Sequence, residues 1–352
     1  EVVADLFDFL WKKNNSNSNI LYELKSESIT ENYIIEKGAY SYLDNTNRKK
    51  EIPYTISGYK KGKQLFIKEI IYDNSKKPIA ELPKPTGKYH IGQSVHYYDS
   101  SIESNRPIAF QIWYPTLESS EDKIPFQSKN VAEAISNFLR WPSFNNSFTR
   151  LMKSNSIKDV PVASDKKFPV VIYNHGYGGA TSVYQTVFEE LASHGYIVVS
   201  IGHQDESAFL LKADGSVIQT CPDNDFYAKR APEINNQTVG IEQSIILNSN
   251  DSYALTEAYK KLIELTPLHT ESVTLWTLDT ELVIKKLKEL NNEDKYLKGR
   301  FDFNSMGIFG HSVGGATAGE LASTKTFKAG INIDGFQFGN LINSHLKCPF
   351  MF

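Results

Sequence analysis

Three stretches of the sequence predict an α/β fold with a mostly parallel central sheet flanked by helices. Phe168–Tyr173 (FPVVIY) and Tyr196–Ile201 (YIVVSI) are uninterrupted apolar runs rich in β-branched residues, the texture of strands buried on both faces of a parallel sheet. Between them Val183, Tyr184, Val187, Phe188 and Leu191 fall on one face of a helix spanning Thr181–His194, closed by Gly195. Met306–Phe309, the turn Gly310–Gly315 (GHSVGG) and the helix-prone run Ala316–Ala322 then repeat strand, turn and helix.

Upstream of this the texture differs. Val2, Val3, Leu6, Phe7, Leu10 and Trp11 recur at helical spacing, and the polar run Lys13–Asn19 breaks that helix. Short strand-like runs follow, among them Tyr33–Ile35, Leu65–Ile67 and Ile70–Tyr72, separated by Gly, Asn and Lys turns. Residues 1–82 therefore read as a small N-terminal β-rich module or the remnant of an upstream domain. The two prolines of Leu82–Gly87 mark its edge, and residues 83–352 read as the larger domain.

Within that domain Tyr89–Tyr98 and Pro107–Tyr114 alternate as two antiparallel strands. Val131, Ile135, Phe138, Leu139, Trp141, Phe144, Phe148, Leu151 and Met152 form an apolar, aromatic helical segment broken at Pro142. With Arg140, Arg150 and Lys153 beside them, the aromatics suit an acyl pocket or peripheral contact with a lipid surface through 131–152. The same stripe also suits a helix packed over the sheet. Asp205 to Ser272 is a long insertion of loops and helices above the sheet, Thr274–Glu293 is an amphipathic helix, and Ala329–Ile333 and Cys348–Phe352 are the last strands.

Composition narrows the classes. The chain has 352 residues, 40% hydrophobic and 22% charged, enough for a large core. A net charge of −3 without a long block of one sign gives no electrostatic case for a nucleic-acid partner. Two cysteines, Cys221 and Cys348, exclude a disulfide framework. No apolar run approaches the roughly 20 residues that span a bilayer. The first residue is Glu1 rather than Met, so any signal peptide is expected to have been removed or to lie outside this sequence. The expected location leans to secreted or extracytoplasmic.

The chemistry centres on Gly310-His311-Ser312-Val313-Gly314. A serine between glycines, on a sharp turn from buried strand to helix, projects its hydroxyl above the sheet edge as a nucleophile. Serine is protonated at neutral pH, so it requires a base, an orienting acid and an oxyanion site. For the oxyanion, the backbone N–H of Val313 is one donor, and the N–H of Tyr177 in His175–Gly179, directly after FPVVIYN, is the other. For the acid, Asp334 stands at the end of the strand AGINID. His345 alone follows Asp334, but it precedes the next strand, whereas the base belongs on a loop after the last one. His175 and His311 belong to the two turns and read as structural, and His203 lies in the loop after its strand. The triad histidine is therefore expected beyond Phe352.

FPVVIYNHGYGGATSVYQTVFEELASHGYIVVSIGHQDESA (168–208), GHSVGGAT (310–317) and INIDGFQF (331–338) together resemble the platelet-activating-factor acetylhydrolases and their bacterial α/β-hydrolase relatives. PTGKYHIG (85–92) and IAFQIWYP (108–115) are similar to that family's opening strands, so the resemblance covers about 85–352. It implies an α/β-hydrolase fold, Ser312 as nucleophile, Asp334 as acid, oxyanion donors at Tyr177 and Val313, and a base some tens of residues past Phe352. It also implies hydrolysis of short acyl esters, including the second position of a phospholipid, with no cofactor and no metal. The loop Gly202–Asp205 departs from the more charged loop of the relatives. A serine peptidase of the same fold, or an inactive binding protein lacking the histidine, is the alternative.

Overall fold

The computed structural model describes residues 21–29, 34–43, 49–61, 64–72, 82–99, 106–139, 152–164, 166–220 and 225–352. The helix expected over Val2–Trp11, residue Cys221 and positions 140–151 of the aromatic segment lie outside them. The chain divides into two compact units, Glu1–Ala80 and Glu81–Phe352.

The first unit carries β1 (Leu21–Ile29), β2 (Ile34–Leu43), β3 (Lys49–Lys61) and β4 (Gln64–Tyr72), antiparallel neighbours in that order. The runs Leu65–Ile67 and Ile70–Tyr72 are one strand, not two. Ser57 pairs with Glu69 and Gly58 with Ile67, so Lys68 is an extra residue bulged out of the ladder. That insertion breaks the sequence alternation without ending the strand.

The second unit is built on eight strands in the order β14-β13-β12-β8-β9-β6-β5-β7. They are β5 (His90–Tyr98), β6 (Ile108–Thr116), β7 (Ser156–Lys158), β8 (Phe168–Asn174), β9 (Ile197–Gly202), β12 (Phe301–His311), β13 (Ala329–Ile333) and β14 (Phe350–Met351). Only β6 runs against the others, pairing antiparallel with β5 and β9. Successive residues of β8 serve opposite faces, as a strand requires. Ile172 packs with Ile308, Val283 and Leu287 on one side, and Tyr173 packs with Trp113, Phe188 and Phe309 on the other.

Helix α1 (Lys129–Phe138) begins at Ser128, whose hydroxyl accepts the Val131 N–H. Its Val131, Ala134 and Phe138 are buried against Ala208 and Phe209, so this part of the aromatic segment is core, while Leu139 is exposed. Helix α2 (Gln185–Ser193) covers Tyr173 and starts later than the spacing predicts, because 181–184 form turns. The insertion holds a small hairpin, β10 (Phe209–Leu211) and β11 (Val217–Gln219), and helices α3 (Asp225–Ile234), α4 (Gln237–Asn248) and α5 (Ser252–Leu265).

Helix α6 (Pro267–Glu293) starts seven residues earlier than Thr274. Pro267 suits a first turn because it has no N–H to satisfy. The Glu233 carboxylate takes the free N–H groups of Leu268 and His269, both at 2.9 Å. Helix α7 (Val313–Ala322) links β12 to β13. The expected strand Cys348–Phe352 shrinks to Phe350–Met351 at the sheet edge, with Met351 and Phe352 exposed. Cys348 is a free, half-buried thiol. Among the described residues no helix is long and apolar enough to cross a membrane.

Candidate active site

β12, β13 and β8 end at the same edge of the sheet, because all three run parallel. Ser312 follows β12 with φ 55 and ψ −122, a conformation that side chains avoid and that strand-to-helix turns impose. Glycines make the turn possible. A Cβ at Gly310 would overlap the carbonyl of Gly314, and one at Gly314 would overlap the carbonyls of Asn174 and His175 at the end of β8. The sharp entry into α7 leaves the N–H of Val313 without an intrahelical acceptor.

Asp334 follows β13, and its backbone is left-handed too, at φ 52. His311 and Ile333 are register partners, and the Ser312 N–H donates to the Ile333 carbonyl at 2.9 Å. Ser312 and Asp334 thus occupy equivalent steps off two adjacent strands. Asp334 is exposed and Ser312 half-buried.

The loop His175–Gly179 leaves β8 beside them. A Cβ at Gly176 would stand 3.4 Å from the Ser312 Cβ and 2.6 Å from His311 Nδ1, which brings this loop against the elbow. Tyr177 packs in the same apolar cluster as Val313, Trp276 and Phe338. The structure therefore gathers Ser312, Val313, Tyr177 and Asp334 at one rim. His345 is not among them. It precedes β14, a strand parallel to β13, and Lys347 nearby donates to the carbonyl of Ala322 at the far end of α7, so His345 sits at the opposite edge. Among the described residues no cluster of side chains is arranged to hold a metal ion.

Beneath the rim lies a buried polar network that the sequence reading passed over. Asp279 accepts two bonds from Arg106, at 3.2 and 3.1 Å, and lies 3.0 Å from His203 Nδ1. Glu206 accepts from Trp276 Nε1 at 2.7 Å and from the Ser272 hydroxyl, with the Arg230 guanidinium 3.4 Å away. One sequence signal pointed here. Trp276, Asp279, Thr280, Val283 and Leu287 form the buried stripe of α6, and a carboxylate within such a stripe calls for a buried partner.

Burial lowers the His175 pKa to about 3 and that of His96 to about 4. Burial also lowers His203 and His269, against the pull of Asp279 and Glu233. For Asp279 burial opposes ionisation, but His203 and Arg106 outweigh it and hold the carboxyl below its usual range. Burial raises Glu206 despite its donors.

The signs fix a pH dependence. A histidine with a depressed native pKa binds fewer protons folded than unfolded, so its contribution is complete above about pH 6.5 and drains away toward the native value. Asp279 acts in the same direction at lower pH, below about 3.9, and Glu206 in the opposite sense over the carboxylate range. The urea midpoint is expected to hold from pH 8 to 7 and to fall between about pH 6.5 and 4.5. A midpoint unchanged at pH 4.5 would show that these histidines are not held neutral.

A family model described as "Platelet-activating factor acetylhydrolase, isoform II" matches residues 74–352. The platelet-activating factor acetylhydrolase of Cavia porcellus is 26% identical over 281 residues, 77% of this chain and 59% of that protein. The protein of that name from Canis lupus familiaris is 25% identical over 285 residues, covering 78% and 60%. The chain thus spans about three fifths of the length of these curated relatives. Among solved structures, a ferulic acid esterase from Streptomyces cinnamoneus superposes with a TM-score of 0.54 at 20% identity, over 77% of this chain and 67% of that one. The strand order and this likeness establish an α/β-hydrolase fold.

Proposed function

Because the chain belongs to the platelet-activating factor acetylhydrolase isoform II family, we propose that it supplies the active site of a serine ester hydrolase. The observation that carries this reading is Ser312, a strained non-glycine residue at a strand-to-helix turn, with Asp334 one strand away and the Tyr177 loop against it. Ser312 Oγ attacks the ester carbonyl as its proton passes to a histidine base, and the new oxyanion rests on the N–H groups of Tyr177 and Val313. The tetrahedral intermediate collapses, the base protonates the departing alkoxide, and an acyl-serine remains. Water, deprotonated by the same histidine, then attacks the acyl carbon and releases the acid. Asp334 orients the histidine and balances its charge. We place that histidine outside residues 1–352, since His345 lies at the wrong edge of the sheet.

The substrate class is short acyl esters, among them the second acyl position of a phospholipid. We assign peripheral lipid contact to 131–152. The exposed Leu139 beyond the buried face of α1, and the aromatic and basic composition of the rest, support it. Sedimentation with phosphatidylcholine vesicles should fall when Trp141 and Phe144 are both replaced by serine; unchanged binding removes this assignment.

The test of the reaction is turnover of a chromogenic acetyl ester by the full-length protein, with a fluorophosphonate probe mapped to its site of attachment. Turnover with label on Ser312 is expected. A matched amide cleaved faster than the ester would favour a peptidase, and a folded protein giving neither turnover nor label would favour a binding role.

A further inference from the structure

The loop 175–179 leaves β8 at Asn174, and the backbone there decides where the Tyr177 N–H points. Four links from the turn 203–208 hold it. The Gly178 N–H donates to the Glu206 carbonyl at 2.8 Å, and the Ala208 N–H donates to the Gly179 carbonyl at 2.7 Å. The Ser207 hydroxyl accepts the His203 N–H at 2.7 Å and meets His175 Nε2 at 2.7 Å. The fourth link is His203 Nε2, 3.0 Å from Asn174 Oδ1. The turn is itself anchored from below, by Asp279 at His203 Nδ1 and by Arg106, which bonds Asp279 and the Gln204 carbonyl. The His203 ring lies flat on Trp276, centroids 3.9 Å apart. Asn174, His175, His203 and Ser207 are all fully buried.

Burying this many polar groups is a poor route to stability, since well-packed apolar side chains of similar volume serve as well or better. What a satisfied polar network provides is a single geometry. Oxyanion donors need that, because their catalytic effect depends on placement to within about 0.5 Å. The bond directions fit such a role. With Nδ1–H given to Asp279, a neutral His203 offers a bare Nε2. In the structure Asn174 Oδ1 faces His203 Nε2 at 3.0 Å and accepts from the Thr280 hydroxyl at 3.1 Å, which also lies 2.8 Å from the Trp276 carbonyl, while Asn174 Nδ2 is buried without a partner. Exchanging the oxygen and nitrogen of that amide presents Nδ2 to the bare Nε2 and to Thr280 Oγ1, with the same heavy-atom distances.

We infer that His203 is a positioning residue for ester hydrolysis: through Asn174 and Ser207 it fixes the loop that carries the Tyr177 oxyanion donor, and Asp279 and Arg106 hold it in place. The inference rests on the ester-hydrolase reading for the loop's task. The clamp itself can be tested apart from turnover.

Three variants separate the two ring nitrogens. In His203→Gln the terminal amide stands near the place of Nε2 and can turn its oxygen or its nitrogen to Asn174, keeping that reach. In His203→Asn it stands near that of Nδ1, keeping only Asp279. His203→Ala keeps neither. In the full-length protein, the Asn and Ala variants are expected to lose about 100-fold in kcat for a short ester with KM within about threefold, while Gln stays within about tenfold of the parent. Amide exchange at residues 176–179 should accelerate in Asn and Ala but not in Gln, with β9 and α6 unchanged. Equal losses in all three, kcat and KM moving together, or loop exchange unaltered in Asn and Ala would each overturn the inference. If Ala fails to fold, the Asn and Gln pair decides. If the parent shows no esterase activity but the exchange pattern holds, the clamp stands and the ester-hydrolase reading falls.

Discussion

Ser312→Ala is expected to lower hydrolysis of a short ester by about 10⁴-fold or more and to abolish labelling by a fluorophosphonate, because the remaining oxyanion site and binding interactions give only modest catalysis without the nucleophile. The same position is expected to show a stability change of opposite sign. Ser312 stands at φ 55 and ψ −122, where a residue with a Cβ is strained by about 1–3 kcal/mol. Glycine relieves that strain but costs about 0.5–1 kcal/mol in unfolded-chain entropy. Ser312→Gly should therefore be more stable than Ser312→Ala by about 1 kcal/mol, with both inactive. The comparison is made by chemical denaturation monitored on tryptophan fluorescence. A glycine variant no more stable than alanine would mean that the turn is not strained, and residual wild-type turnover in either would remove Ser312 from the chemistry.

Gly314→Ala is expected to be among the most damaging small changes in the chain. Alanine is the better helix former by about 1 kcal/mol, so propensity alone predicts a gain at this second position of α7. The space is not there. The added Cβ would overlap the backbone carbonyls of Asn174 and His175, which no rotamer change can move, and α7 would have to lift off the end of β8. Overpacking against backbone should outweigh propensity, for a net loss of about 2–4 kcal/mol. Gly240→Ala is the control. It lies within α4, and a Cβ there meets nothing within 4 Å, so a gain of up to about 1 kcal/mol is expected. Matching signs for the two substitutions would contradict the packing at the elbow.

What could be read from the residues followed from burial. β8 and β9 sit inside a mostly parallel sheet covered on both faces and so appear as unbroken apolar runs, while β13 recurs at the predicted Ala329–Ile333. The elbow and the loop after β8 were visible because glycines are forced there by close backbone approach. Other features were hidden for definite reasons. β7 is three residues, too short to show a period. The start of α6 is set by Glu233, far upstream of the helix it caps. Arg106 and Asp279 are separated by 173 positions, and no local pattern joins them. Phe350–Met351 looked like a buried strand because apolar residues give the same signal at a covered position and at an exposed sheet edge.

Ser312 and Asp334, the proposed nucleophile and acid, also belong to one supersecondary element. β12, α7 and β13 form one contiguous βαβ segment, and the bond from the Ser312 N–H to the Ile333 carbonyl ties its two strand ends directly beneath both residues. A segment of this kind tends to open as a unit, since α7 packs on both strands as well as on Trp276 of α6, and detaching either strand strips away part of that packing. Partial unfolding at this edge would thus not leave a serine deprived of its acid, or an acid without its serine. Both would be lost in a single step, so that the fraction of active molecules reports directly on the closed state of one supersecondary element.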